Sequence, residues 1–406
     1  MSSTLTPDHR TSTGVSTEPP RGLVAMLTVA AFLTFAQAFM IAPILPQLAR
    51  AFHSTPEAVG LAVPAYLVPY GVLTLLWGPL SDRVGRRPVI LASLAAFTVL
   101  TAATALADGN AAFITMRLLT GIGVGGVVPV ALALIGDVFP YAQRGRALGW
   151  MYGGMAGGIA VGSSAGALAE PLIGWPGLFL AIAAASAVLL LITLTSQILP
   201  TTSPRPAKPL AAVAAGYRSL LRSARGRRTY GYIFFNAVLH SGIYTWLGLY
   251  LIQRFALGPV GIGLALLGYG IPGLLLGPVI GTLADRYGRA RIIPAGVALA
   301  AACALLLAID LPLPAVALTI AALSLGYDMT HPLLAGIVTA LPRNSDQRGQ
   351  ALGLNSFCLF TGFGLGSLAF ELLLPTGFTT ALAIFGGAAL LATLAAVPAF
   401  RDERTP

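Results

Sequence analysis

Gly78-Pro79-Leu80-Ser81-Asp82-Arg83-Val84-Gly85-Arg86-Arg87-Pro88-Val89-Ile90 occurs again 203 positions later, as Gly281-Thr282-Leu283-Ala284-Asp285-Arg286-Tyr287-Gly288-Arg289-Ala290-Arg291-Ile292-Ile293. Glycine, leucine, Asp-Arg, glycine and arginine keep their spacing, and 203 is half of the 406-residue chain. A second landmark agrees, since Arg144-Gly145-Arg146-Ala147-Leu148-Gly149 returns as Arg348-Gly349-Gln350-Ala351-Leu352-Gly353 at an offset of 204. The chain reads as one unit written twice.

Both copies lie between long apolar runs. Hydrophobic residues make up 56% of the chain and charged residues 9%, against roughly 25% charged in soluble domains. Runs of about 20 apolar residues can cross a bilayer, and twelve are present, near 22–48, 57–80, 89–107, 112–139, 147–170, 177–198, 231–253, 260–284, 292–309, 315–341, 350–373 and 379–400. The net charge of +10 is distributed in a way that excludes a nucleic-acid partner: with the N-terminus inside, 21 of the 24 basic residues fall in inward segments, and only Arg50 and Arg254 fall outside. That asymmetry predicts cytoplasmic termini in a multi-pass protein of the cell (inner) membrane. Residues 1–21 are polar, with no apolar core, and are expected to be a disordered cytoplasmic tail without a cleaved signal. Cys303 and Cys358 lie in apolar runs and read as packing residues; no metal-ligand spacing, cofactor motif or nucleotide-binding loop is present.

In its form, G-x-L-x-D-R-x-G-R, and in its doubled placement, the opening motif resembles the signature loop of the major facilitator superfamily. That loop joins the second and third membrane helices, with a degenerate copy between the eighth and ninth. The resemblance covers about residues 22–400. It implies an all-α membrane protein, twelve transmembrane helices in two pseudo-symmetric six-helix bundles, working as a monomer by alternating access. The expected division is an N-terminal bundle over 22–198, a cytoplasmic linker over 199–230 with an amphipathic helix near 210–223, a C-terminal bundle over 231–400 and a tail over 401–406.

The family's latch carries over to named positions. Asp82 and Arg83, with Asp137 at the inner end of the fourth span, match the residues that stabilise the outward-open state. Gly78 and Gly85 belong to the same loop, and Gly281, Asp285 and Arg286 take the equivalent places in the second copy. Arg86 and Arg87 read as charges that fix topology. The fourth span carries Arg117 in the pattern R-x-x-x-G-x-G-x-G, which resembles a family motif whose arginine is linked to proton coupling. Even on lenient scales a cation in a span costs at least about 2.5 kcal/mol, so Arg117 should face protein or water.

Polar stripes mark the cavity. The first span carries Gln37 ahead of Pro43 and Pro46, which predict a kink. The seventh has Asn236, His240 and Tyr244 at four-residue steps, and the tenth has Ser324, Tyr327, Asp328 and His331. An ionisable residue at mid-membrane is a functional candidate by default. Asp328 and His331, three apart, are expected to share a helical face and, with His240 and Arg117, to carry the coupling proton. The substrate cavity is assigned to Gln37, Asn236, His240, Tyr244, Tyr327 and Asp328. The resemblance implies a secondary transporter rather than an enzyme, with a small-molecule substrate, protons and the bilayer as its partners. Proton-coupled efflux of small, largely apolar compounds or drugs is the leading expectation. Against it, the fifth span reads Gly162-Ser163-Ser164-Ala165-Gly166, without the proline of the antiporter pattern. A proton symporter importing a small organic solute is the alternative, and a non-transporting solute sensor a third.

Overall fold

The computed structural model describes residues 20–201, 209–342 and 347–403. The expected disordered tail (1–21) lies outside the described residues but for its last two positions, as do 202–208 of the linker and 404–406 of the C-terminal tail.

The first span is a pair, α1 (Leu23–Phe39) and α2 (Ile41–Ala51), bent by 48°. Pro43 explains the bend, because it cannot donate to the carbonyl of Phe39. α3 (Pro56–Gly60) and α4 (Ala62–Val84) form the second span, α5 (Arg86–Thr104) the third, and α6 (Asn110–Val124) with α7 (Val127–Val138) the fourth. α8 (Tyr141–Thr195) runs for 55 residues. As one rod it would measure about 80 Å, against about 30 Å of hydrocarbon, so it must hold two spans. Gly174, at φ 67° and ψ 165°, divides it.

After the linker helix α9 (Leu210–Arg222), α10 (Ala224–Phe255) forms the seventh span, and α11 (Pro259–Ala265) with α12 (Ile271–Tyr287) the eighth. The seventh-span helix starts seven residues before the expected 231, shortening the linker. α13 (Arg289–Leu307) is the ninth span, α14 (Leu313–Asp328) with α15 (His331–Thr339) the tenth, α16 (Arg348–Glu371) the eleventh and α17 (Phe378–Ala399) the twelfth. Twelve spans result, as the doubled sequence requires.

The repeat is written in the backbone as well. Gly85 (φ 95°) and Gly288 (φ 86°) turn the two copies of the opening motif, and Gly174 has its counterpart in Gly377 (φ 91°), which separates α16 from α17. Even the non-glycine pair His53 (φ 49°) and Ala256 (φ 53°) recurs at the same 203-residue spacing. Packing repeats too: α1 lies along the first part of α8 as α10 lies along α16, and α5 meets α8 as α13 meets α17. Glycines permit this approach. A Cβ on Gly158 would sit 2.4 Å from the Phe32 carbonyl oxygen and one on Gly162 2.5 Å from that of Ala36; their counterparts Gly362 and Gly366 would meet Phe234 O at 2.7 Å and Val238 O at 2.2 Å. Small residues at four-residue spacing let membrane helices touch backbone to backbone.

The halves meet along α4 and α16, α2 and α10, and α8 and α11. Away from the chain ends, contact is tight. α2 is buried from Ile41 to Ala49, and a Cβ on Gly60 would lie 2.5 Å from the Trp246 ring. On the face that carries the chain ends, Gly149 and Gly153 of α8 and Gly277 and Gly281 of α12 have no described atom within 4 Å of an added Cβ. The α4–α16 seam stays closed further down, to Thr74 Oγ1, which donates to Gly353 O at 3.4 Å. The halves are therefore in contact from the far face, at Gly60 and Trp246, down to Thr74 and Gly353.

Candidate functional site

The polar stripes of the seventh and tenth spans converge around His240. His240, near the middle of α10, is 5% exposed. Its ring stacks on Tyr327 at 4.3 Å and 3°, meets Tyr269 and Phe363 edge-on at 5.7 and 5.1 Å, and lies 5.8 Å from the ring of His331. Neither ring nitrogen finds a hydrogen-bond partner among the described residues. Asn236, one turn away on the same face, donates to Thr330 Oγ1 at 2.6 Å and lies 3.2 Å from His331 Nε2. Tyr244 donates to the Phe39 carbonyl at 2.8 Å, the acceptor that Pro43 left free, and so bridges the halves. Asp328, Met329 and His331 are partly exposed.

The tenth span differs from expectation. Asp328 ends α14 and His331 begins α15, so the two do not lie on one continuous helical face. The cause is Pro332, whose ring opposes the carbonyl of residue 328 and which has no N–H to give it. Asp328 Oδ2 accepts from Ser324 at 3.2 Å, and Ser324 Oγ accepts the Gly270 amide at 2.9 Å.

Arg117 and Gln37 form a separate centre in the first half. Arg117 is fully buried; it donates to Gln37 Oε1 at 2.7 Å and to Ala62 O at 3.4 Å, and its guanidinium lies 4.1 Å over the Tyr66 ring. A chain of rings joins this centre to His240: Tyr66 to Tyr70 at 6.1 Å, Tyr70 to Phe360 at 4.2 Å, Phe360 to Phe363 at 6.3 Å. Tyr66, Tyr70, Tyr269, Phe360 and Phe363 were not singled out from the sequence. Tyr269 had a local sign, because Gly268-Tyr269-Gly270 with Pro272 interrupts an apolar run.

At the terminal face, Arg86 reaches both latch carboxylates, at 2.6 Å from Asp82 Oδ1 and 3.0 Å from Asp137 Oδ2, and it also donates to Ser81 Oγ. Read from sequence as a topological charge, Arg86 is 5% exposed and links the second, third and fourth spans. Gly78 has no neighbour within 4 Å of an added Cβ, nor does Gly281. Asp285 and Arg286 close the last turn of α12, with Arg286 over the Tyr287 ring at 5.3 Å. In the second half Leu341 stands at the place of Asp137. There the acid is supplied by Glu403, which accepts from Arg225 at 2.6 and 2.8 Å and from Arg228 at 2.6 Å, with Arg289 within electrostatic reach. Hydrogen bonding from Arg225, helped by the nearby positive charges, holds the Glu403 carboxyl below its ordinary range.

A model of the Major Facilitator Superfamily matches residues 27–262 and 253–406. The chain belongs to the major facilitator superfamily. The relatives of this facilitator are transporters, not enzymes. It is 28% identical over 273 residues to the uncharacterized MFS-type transporter YwfA of Bacillus subtilis (strain 168), covering 67% of this chain and 66% of that one. It is 27% identical to YceJ of the same organism, over 83% and 85%. The match to the multidrug transporter QDR2 of Candida glabrata is 29% identical and spans 37% of this chain and 26% of that one. Among solved structures, the facilitator superposes on the human organic anion transporter MFSD10 (TETRAN) with a TM-score of 0.73 at 21% identity, over 93% and 99% of the two chains. A D-xylose-proton symporter gives 0.76 at 17%, over 95% and 98%. The facilitator is a multi-pass membrane transporter of the all-α, twelve-span, two-bundle fold.

Proposed function

We propose that this facilitator exports small, largely apolar organic compounds in exchange for protons, with both termini cytoplasmic. The observation that carries the reading is the placement of Asp328 and His331, ionisable and partly exposed, beside a buried aromatic wall of His240, Tyr244, Tyr269, Tyr327 and Phe363. Such a wall suits apolar and aromatic solutes, and a carboxylate at mid-span can take a proton in one conformation and release it in another. Two further observations support the choice: the 21-to-2 split of basic residues between inward and outward segments, and the multidrug transporter among the relatives.

The test is reconstitution into liposomes with an imposed pH gradient. Asp328→Asn is expected to abolish gradient-driven dye movement while retaining dye binding, and undiminished driven transport would remove Asp328 from the proton path. Import by proton symport is favoured by one observation, the unbroken helix from 141 to 173 through Gly162–Gly166 where the antiporter pattern has a proline. Expression in a pump-deficient bacterium separates the two, since export should lower the accumulation of a hydrophobic dye.

A further inference from the structure

The eighth span is broken between Leu266 and Gly270, and the break is held from two sides. On one side is the first half: Ser164 Oγ donates to Leu266 O at 3.2 Å, and Gly270, at φ 81°, lies so close to α8 that a Cβ would be 3.1 Å from Ala160 Cα. On the other side is the tenth span, where Ser324, 2% exposed, accepts the Gly270 amide while donating to Asp328. Toward the far face α8 and α11 are in contact, with Gly263 against Leu168; toward the terminal face Gly149, Gly153, Gly277 and Gly281 have no described atom within 4 Å of an added Cβ. Held by both neighbours, the break is a fulcrum for α12.

We propose that Ser324 transmits the protonation state of Asp328 to this fulcrum, and through it to the opening between α8 and α12. The proposal rests on the reading of Asp328 as the proton-carrying group. An ionised carboxylate only accepts, so it commits the Ser324 hydroxyl proton and turns a lone pair to the Gly270 N–H. A charge-assisted bond polarises the next bond in the chain, which strengthens the tether seen here from Asp328 through Ser324 to Gly270. A proton on Asp328 makes it a donor in its own right and removes the charge that fixed the hydroxyl. The tether weakens, and α12 can pivot at Gly270 toward α8, where four glycines leave room. Ser324 is thus a positioning residue, acting through Asp328.

Tyr269 in the break lies within electrostatic reach of Asp328, and the titratable groups around it are Tyr327, its neighbour in sequence, which stacks on His240 and feels Cys303 on α13, and His331 on α15, 5.8 Å from the His240 ring. Of these only the histidines have an ordinary range near neutrality, so the test includes them.

Spin labels at Trp150→Cys on α8 and Val279→Cys on α12, both exposed, report the seam, while the native cysteines are buried. In nanodiscs, lowering the pH from 8 to 5 should shift the wild-type distribution toward the shorter distance, changing the open-to-closed ratio by about tenfold for each pK unit of difference between the two conformers. Asp328→Asn should remove the response. Ser324→Ala should flatten it while keeping both distances; Ser324→Thr should retain it, and Ser324→Cys, a weaker donor of similar size, should reduce it. The His240→Gln/His331→Gln double variant should keep it. If Asp328→Asn removes the response and Ser324→Ala and Ser324→Cys leave it intact, the serine relay is wrong and the proton assignment stands. If Asp328→Asn leaves it intact, or the histidine variant abolishes it, the proton assignment itself fails. A wild-type distribution that does not move with pH, or moves the other way, overturns the relay.

Discussion

Tyr244 and Tyr217 perform one task at two depths. Each donates to a carbonyl that a proline four residues on has left without its helical partner: Tyr244 to Phe39 O, freed by Pro43, and Tyr217 of the linker helix to Leu75 O at 3.1 Å, freed by Pro79 of the opening motif. Burial pushes the Tyr217 phenol up to about 12, so it stays a donor at any physiological pH. Tyr244→Phe should strand a buried acceptor and cost about 1–3 kcal/mol, read as a lower Tm in detergent; Tyr217→Phe, half-buried near the terminal face, should cost less. Arg86→Ala should cost more than either, on the order of 3 kcal/mol, because it leaves two carboxylates without their buried cation. An Arg86→Ala protein as stable as wild type would reduce that contact to a surface pairing. That Arg86 reaches Asp82 and Asp137 was not legible beside the Arg83 assignment, because a linear motif does not show what a positive-φ glycine does next. At Gly85 the chain turns so that Arg86 opens a new helix pointing back at Asp82.

Two glycine stripes of one helix have opposite mutational weight. Gly162 on α8 has the α1 backbone at 2.5 Å from an added Cβ, whereas Gly149 on the same helix has open space. Gly162→Val should therefore separate α1 from α8 and lower folded yield severely, and Gly149→Val should leave yield within experimental scatter, both measured by fluorescence-detected size exclusion. Equal losses would mean that the stripes do not differ in role. The stripes themselves, the twelve spans and the first-span kink could all be read from the residues, since apolar length, small-residue spacing and proline are local signals. The broken tenth span was not, although Pro332 was in view, because the polar stripe of Ser324, Asp328 and His331 fits a continuous helix equally well. The aromatic wall was hidden for a different reason: in spans that are apolar all round, rings such as Phe360 and Phe363 give no periodic contrast that would assign them a face.

The halves are closed differently at the terminal face, by Arg86 with Asp82 and Asp137 in the first and by Glu403 with Arg225 and Arg228 in the second. Because the Glu403 carboxyl is held below its unfolded value, its contribution is complete above the ordinary carboxylate range and is lost as pH falls through the lower, folded value. Glu403→Gln should thus lower Tm at pH 7 by several degrees, and the gap to wild type should narrow on acidification below about pH 4. A gap constant with pH would assign the effect to packing of the C-terminal turn instead. The molecule's two seams are also unequal, α4 and α16 meeting at Thr74 and Gly353 while Gly149 and Gly153 of α8 and Gly277 and Gly281 of α12 have no described atom within 4 Å of an added Cβ. At the proposed opening between α8 and α12, both helices carry exposed apolar side chains, Trp150, Leu275 and Val279 among them. A gap with greasy edges faces the acyl chains of its own leaflet as well as water. Solute entering by that route is counted per volume of membrane, so for compounds of equal intrinsic affinity the aqueous KM should fall in proportion to the partition coefficient.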